Sequence, residues 1–229
     1  NYSTSINKWI FKDELLRHIH TRKDLPDAIP YITSYYKKNW GFCLSENEKK
    51  KLPNGKFKVF INSSLLPGKL NLAEAKLKGK SKKEIFFSTN ICHPSMANNE
   101  LSGPILSSAL LRYIKDNYNK SYYSYRFLFV PETIGSLAYL SKNYKKMKKD
   151  IIAGFTLSCV GDERSFSHVV SPNYNLADEA LSSALIGLNN VKVYSFLERG
   201  SDERQYCSPG IELPVCGFCR SKYGKYSEY

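Results

Sequence analysis

The sequence predicts an α/β protein with a mixed, mainly parallel central sheet. Three short apolar segments are typical of buried strands and cover residues 84–91, 125–130 and 151–159. Amphipathic segments over 102–117 and 133–147 separate them, and this alternation is typical of parallel strands joined by crossover helices. A hairpin is predicted over 57–76, which adds an antiparallel part, so we expect the sheet to be mixed.

Shorter elements are predicted near the N-terminus. Apolar residues at helical spacing predict a helix over 13–20, and an aromatic-rich segment predicts another over 28–38. Apolar and polar residues alternate over 57–61, and apolar residues recur over 70–75 after the Leu-Pro-Gly sequence at 66–68. Alternation on both sides of a turn sequence is typical of a β-hairpin.

The remaining elements follow the same alternation. The helix predicted over 102–117 carries Ile105, Leu106 and Ala109 on one face, as expected for a helix that packs on a sheet. Another helix is predicted over 176–188, followed by strands over 191–196 and 213–218.

Composition narrows the class of protein. The 229 residues, 42% of them hydrophobic, fit one packed domain over residues 1–229. The chain does not begin with Met, and we interpret it as a fragment that lacks residues at both ends. It has no visible signal peptide and no apolar run near the roughly 18 residues of a membrane span, so we expect no membrane partner. Most of the six cysteines lie in apolar stretches, as buried reduced thiols do, so we expect a cytoplasmic protein. The net charge of +13 comes mainly from scattered lysines, so we expect no specific nucleic-acid partner.

Polar residues follow four of the predicted strands at the point where each strand ends. These residues are His93, Glu132, Asp162 and Asp202. Ligands of open α/β sheets bind at the carboxyl ends of the strands, so we expect these side chains to converge. Imidazole and carboxylate groups bind zinc, and a nearby carboxylate can act as general base. The pattern therefore predicts a zinc-assisted hydrolytic site in which Glu132 is either a ligand or the base.

The motifs around these residues resemble the zinc-dependent aminopeptidase superfamily of α/β exopeptidases. The motifs are HPSMANNELSG from His93, PETIGS from Pro131 and SDERQY from Ser201. Over nearly the whole chain, the sequence is similar to a bacterial aminopeptidase-like family of unassigned function, often found beside polysaccharide-biosynthesis genes. The resemblance implies an aminopeptidase-like α/β/α sandwich with zinc at the carboxyl ends of the strands.

The resemblance also implies roles for single residues. His93 matches the first histidine ligand of the superfamily, and Asp162 matches a later aspartate ligand. Asn99 stands where two-metal members have a bridging aspartate, so one zinc ion is implied. Glu132 stands where the superfamily has two adjacent glutamates, so it can be the base or a ligand but not both. The last histidine ligand has no counterpart before Tyr229, where the chain ends.

Five residues are expected to contact substrate: Asn99, Glu100, Asp202, Arg204 and Tyr206. The Ser-Asp pair that ends at Asp202 resembles a superfamily block near the substrate pocket. Arg204 could clamp a carboxylate or phosphate, or form a structural salt bridge. Tyr206 could line the pocket or pack in the core.

The predicted function is a zinc-dependent aminopeptidase-like hydrolase of amide bonds, acting on a small peptide or another amide-containing molecule. Two alternatives remain open. One is a hydrolase or transferase acting on amino-sugar or glycan substrates in polysaccharide biosynthesis. The other is a non-catalytic binding module on a decayed peptidase fold, which Asn99 and the unpaired Glu132 favour. The retained His93, Glu132 and Asp162 favour an enzyme.

Overall fold

The chain forms two compact units, one up to Lys69 and one from Leu70 to Ser227. The structure, a computed structural model, describes residues 3–34, 36–93, 96–118 and 121–227. The expectation of one domain over residues 1–229 stays a prediction. All the residues proposed for the site belong to the second unit.

The N-terminal unit is built from short strands and two short helices. Its elements are β1 (Ile6–Phe11), α1 (Lys12–Leu16), β2 (Ile19–His20), β3 (Phe42–Cys43), α2 (Glu46–Lys51) and β4 (Lys56–Ile61). Strand β1 pairs antiparallel with β4, and β2 pairs parallel with β3. Ile10, Leu15, Ile19 and Val59 form the small core of this unit.

Two predictions for the N-terminal unit are wrong, and a third is correct only in part, because the helix predicted over 13–20 ends at Leu16 and strand β2 follows at Ile19–His20. Residues 28–34 carry no regular secondary structure, so the helix predicted over 28–38 does not form in the described part of that segment. Pro30 lies in the first turn of the predicted helix and disfavours helical backbone at the preceding residue, Ile29. The hairpin predicted over 57–76 is also absent, because β4 pairs with β1 while the next strand joins the second unit.

A seven-stranded sheet forms the centre of the second unit. Its strands are β5 (Ala73–Leu77), β6 (Glu84–Asn90), β7 (Ser124–Val130), β8 (Ile151–Leu157), β9 (Phe166–Val169), β10 (Val191–Tyr194) and β11 (Val215–Cys219). The spatial order is β10-β9-β11-β8-β6-β7-β5. Only the β5–β7 and β9–β11 pairs are antiparallel. The predicted mixed, mainly parallel sheet is confirmed.

Helices cover both faces of this sheet. They are α3 (Ser102–Asn117), α4 (Ile134–Asp150), α5 (Leu176–Ala184) and α6 (Glu203–Tyr206), with a π-helical turn over Ala97–Leu101 and a 3-10 turn over Phe196–Glu198. One core cluster joins Phe86 of β6 to α4 and α6, and a second joins β8 and β11 to α5. Because successive strand residues point to opposite faces, β11 contributes Val215 to the first cluster and Cys216 to the second. The predicted α/β/α sandwich is confirmed.

The parallel strands β6, β7 and β8 end at the same edge of the sheet. The segments that carry His93, Glu132 and Asp162 leave the sheet there, as the sequence predicted. No helix in the described ranges is both long and apolar enough to cross a membrane.

Candidate functional site

The segment after β6 brings Cys92, His93 and Glu100 together. The thiol sulfur, an imidazole nitrogen and a carboxylate oxygen of these residues lie within 4.8 Å of one another. Glu100 comes from the π-helical turn, an irregularity that is frequent at functional sites. Its side chain turns back toward the strand end, where Oε2 accepts a hydrogen bond of 2.8 Å from the backbone N–H of Cys92.

The second carboxylate oxygen of Glu100 is the feature that fits a cation. Glu100 is only 3% exposed, and its Oε1 has no hydrogen-bond partner among the described residues. A buried carboxylate oxygen without a partner is costly, and a metal ion would satisfy it. His93 supplies the imidazole nitrogen that zinc prefers. Burial raises the pKa of the Cys92 thiol to about 11, so His93 and Glu100 are better suited as ligands at neutral pH.

Glu132 follows β7 and lies beside this group. Burial raises the pKa of its carboxyl group, and the negative charges of Glu100 and Glu203 raise it further. His93 and a hydrogen bond with Ser201 act in the opposite direction. The pKa of Glu132 is therefore closer to neutral pH than the pKa of an ordinary glutamate. A residue that must both accept and donate a proton needs such a pKa.

Asn90, the last residue of β6, helps to hold the Glu132 side chain. Its Nδ2 donates to Glu132 Oε1 at 3.4 Å and to Ser201 Oγ at 3.2 Å. The end of β6, the segment after β7 and the segment before α6 therefore meet around the Glu132 carboxylate.

The acidic pair at the start of α6, Asp202 and Glu203, is buried. Asp202 is 1% exposed, and its Oδ1 accepts hydrogen bonds from Thr133 N at 2.8 Å and Ser136 Oγ at 2.9 Å. Burial raises the pKa of Asp202 to about 7. Glu203 accepts from the Tyr223 hydroxyl at 2.6 Å and from Thr156 Oγ1 at 3.1 Å. Both side chains are buried from solvent, and Asp202 Oδ2, like Glu100 Oε1, has no hydrogen-bond partner among the described residues.

Asp162 is not in the group formed by His93 and Glu100. Its carboxylate accepts hydrogen bonds from Asn98 Nδ2, from the backbone N–H of Arg164, and from both the N–H and the hydroxyl of Ser221, at 2.7–3.1 Å. Burial opposes ionisation, but these bonds lower the pKa of Asp162 to about 2. Since both oxygens already have donors, its role as a metal ligand stays a prediction.

The other residues expected at the substrate pocket occupy different environments. Asn99 is 7% exposed, and its side-chain amide donates to Cys159 Sγ at 3.6 Å. Arg204 is exposed, and its Nη2 donates to Thr133 Oγ1 at 3.2 Å, next to Glu132. Tyr206 is fully buried, bonds Ser88 Oγ at 2.8 Å and belongs to the core cluster that includes Phe86. The sequence allowed Tyr206 either to line the pocket or to pack in the core, and its buried position favours packing.

A second group of potential ligands, His168, Asp178 and Cys216, lies in the core. His168 Nε2 is 2.8 Å from Asp178 Oδ1, and His168 Nδ1 is 3.4 Å from Ser182 Oγ. Both imidazole nitrogens therefore have partners within the protein, and all three residues of the group are buried. This group is a structural network that ties β9 to α5.

Sequence reasoning missed three residues of the candidate site: Cys92, Asn90 and Thr133. Cys92 and Asn90 flank a strand end, one residue and three residues before His93, and that position was the available signal. Thr133 carries no such signal, because its importance lies in its backbone conformation, with φ 63°.

The fold of the chain is similar to the folds of several solved aminopeptidases. The structure of BSAP, a zinc aminopeptidase from Bacillus subtilis, matches with a TM-score of 0.54 at 18% identity, over 69% of this chain and 41% of that one. At this identity the likeness concerns the fold alone.

The family follows from a closer match. The model of the family described as "Domain of unknown function (DUF4910)" matches residues 4–229, and the chain belongs to this family. A Clostridium acetobutylicum protein, described as a candidate polysaccharide biosynthesis protein with an aminopeptidase-like domain, is 40% identical over 98% of this chain. A crystal structure of a candidate peptidase from Clostridium acetobutylicum matches with a TM-score of 0.91 at 40% identity, over 98% of this chain. The chain spans about half of each relative, 51% and 53% of their lengths.

Proposed function

We propose that this chain carries the site of a zinc-dependent, aminopeptidase-like hydrolase of amide bonds that acts on small peptides or other amide-containing molecules. Two observations carry the proposal: a carboxylate oxygen of Glu100 lies within 4.8 Å of a ligand atom of His93, and Oε1 of the buried Glu100 has no hydrogen-bond partner among the described residues. The neighbouring Glu132, with its raised pKa, supports the assignment of a general base.

His93 and Glu100 would hold one zinc ion, and Asp162 would join them only by exchanging some of its present hydrogen bonds. When bound, zinc polarises a scissile carbonyl and lowers the pKa of a water molecule. Glu132 accepts the proton of the attacking water and returns it to the leaving amine. Asn90 and Ser201 orient the carboxylate of Glu132 for this transfer.

A second candidate function draws on the description of the Clostridium acetobutylicum relative, which mentions polysaccharide biosynthesis. In that case the amide would belong to an amino sugar or a modified glycan, and the acyl group would pass to water or to another acceptor. The same residues would serve both substrate classes, because zinc and a general base act on the amide group itself. A cytoplasmic location accompanies both versions of the proposal.

The replacement Glu132→Gln separates the base from the metal ligands. If Glu132 is the base, the full-length variant keeps its zinc, measured by mass spectrometry of the metal, and hydrolyses its substrate about 10²–10⁴-fold more slowly. Glu179→Gln, at an exposed position of α5, is the matched control and keeps the rate of the unmodified protein.

The substrate panel consists of aminoacyl amides and N-acylated amino sugars. Loss of zinc together with activity in Glu132→Gln would make Glu132 a ligand instead of the base. No turnover of any substrate by zinc-loaded protein would contradict the proposal and favour a non-catalytic binding module.

A further inference from the structure

The peptide backbone directly after Glu132 has a strained conformation. Thr133 has φ 63° and ψ −68°, and the N–H of Ile134 donates to the carbonyl oxygen of Glu132 at 2.7 Å. These values define a γ-turn of the rare, strained kind, with a β-branched residue at its centre. Such a conformation persists only where surrounding contacts hold it, and such sites cluster at functional positions.

Asp202 supplies the contacts that hold this turn. Its Oδ1 accepts the Thr133 N–H at 2.8 Å, and the N–H belongs to the residue at the centre of the turn. The same oxygen accepts the Ser136 hydroxyl at 2.9 Å, which ties the turn to the first residues of α4. Asp202 is 69 residues away in sequence and 1% exposed, so the anchor is a buried tertiary contact.

Neighbours of Asp202 reach the same segment. Ser201 hydrogen-bonds the Glu132 carboxylate, and Arg204 Nη2 donates to the hydroxyl of Thr133 at 3.2 Å. Residues 201–204 therefore contact the side chain of Glu132 and both the backbone N–H and the hydroxyl of Thr133.

We propose that Asp202 is a positioning residue that holds the strained turn at Thr133 and so fixes the direction in which β7 presents the Glu132 carboxylate. The catalytic consequence rests on the proposed function, in which Glu132 is the base. The structural part does not, because the hydrogen bond to Thr133 N needs neither metal nor substrate. Substrate contact, the role expected for Asp202 from the sequence, is replaced by support of the turn.

The test is a double-mutant cycle between Asp202 and Thr133. D202A removes the acceptor, whereas D202N keeps an oxygen that can accept from Thr133 N. T133G removes the strain, because glycine adopts positive φ without steric cost. If Asp202 acts by holding the turn, D202A raises the unfolding equilibrium constant far less in the presence of T133G than in its absence.

Hydrogen exchange gives a readout that needs no activity. We expect D202A to accelerate exchange of the Thr133 amide at least tenfold, while D202N and the single-donor control S136A change it less than threefold. An unchanged Thr133 exchange rate in D202A, or equal losses of stability with and without T133G, would overturn the proposal. If D202A does not fold, D202A/T133G is expected to fold, and its failure to do so would also overturn the proposal.

The kinetic readout separates positioning from substrate contact. On a substrate that the unmodified protein hydrolyses, we expect D202A to lower kcat about tenfold with KM within threefold, and D202N to restore most of kcat. A rise in KM at unchanged kcat would contradict positioning and indicate substrate contact. Failure of the unmodified protein to hydrolyse any substrate would contradict the proposed function alone, because the exchange and stability results are measured without substrate.

Discussion

Gly103 sets how closely α3 approaches the sheet beside the candidate site. A Cβ built at Gly103 would lie 2.5 Å from the carbonyl oxygen of Leu157 and would also overlap the hydroxyl of Thr89. That hydroxyl donates to the same carbonyl at 2.9 Å. Because one of the clashing atoms is backbone, rotation of a side chain cannot relieve the overlap.

The expected cost of Gly103→Ala follows from these contacts. Overpacking of a tight interior costs about 1–3 kcal/mol, and loss of the bond between Thr89 and Leu157 costs roughly 0.5–1.5 kcal/mol. Alanine returns about 1 kcal/mol through its higher helix propensity. Together these contributions give a loss of about 0.5–3.5 kcal/mol. Because backbone must move, we expect the upper part of that range, so the free energy of unfolding should fall by about 2–3 kcal/mol.

Urea denaturation of Gly103→Ala measures this change, and Gly68→Ala is the matched control. Gly68 has no atom within 4 Å of an added Cβ, so its variant is expected to stay within about 0.5 kcal/mol of the unmodified protein. Gly103→Ala should also weaken zinc binding, because Glu100 lies three residues before the displaced position. A free energy of unfolding for Gly103→Ala within about 0.5 kcal/mol of the unmodified protein would refute the packing argument.

Three further predictions concern the metal, its stoichiometry and pH. His93→Ala should abolish stoichiometric zinc binding, whereas Asp162→Asn should keep the zinc if the observed hydrogen bonds of Asp162 persist. Metal analysis after dialysis measures the zinc content of both variants, and equal losses of zinc would make Asp162 a ligand. Asn99→Asp should raise the zinc content toward two per chain if the amide alone blocks a second ion, and a content that stays at one would show that more of that site is missing. Burial raises the pKa of Asp178, but hydrogen bonds from His168 and Ser171 outweigh burial and lower this pKa below its ordinary value. The ionised Asp178 therefore stabilises the fold fully above the ordinary aspartate pKa of about 3.9, and this contribution is lost as pH falls below that value. Asp178→Asn should flatten the fall in unfolding free energy below about pH 4, and an unchanged slope would contradict this assignment.

Local periodicity was enough to predict the architecture of the second unit. Strands β6, β7 and β8 are apolar segments separated by amphipathic helices, and such segments have few ways to bury their side chains other than a parallel sheet covered by helices. The same pattern placed His93 and Glu132 at strand ends that share one edge of the sheet. These inferences succeeded because they depend on residues close together in the sequence.

The wrong hairpin prediction arose because a strand had more than one available partner. Residues 57–61 and 70–75 have the alternation of a hairpin, but β4 pairs with β1 and β5 pairs with β7. Eleven residues, 62–72, separate the two strands, a connection well beyond the 2–5 residues of a typical hairpin loop. Backbone groups of a strand pair equally well with any suitable edge, so the alternation alone did not select the partner.

The sequence by itself determined the strands β6, β7 and β8 with the helices α3 and α4 between them, and which polar residues follow these strands, because both follow from the spacing of apolar residues. The tertiary structure alone decided the chemistry of those polar residues. Asp162 is saturated by Ser221, 59 residues away, while Glu100 keeps one buried oxygen unpaired. The strained turn at Thr133 depends on Asp202, 69 residues away. The charge, burial and hydrogen bonding of a carboxylate depend on neighbours brought close by folding, and no local pattern of the chain records them.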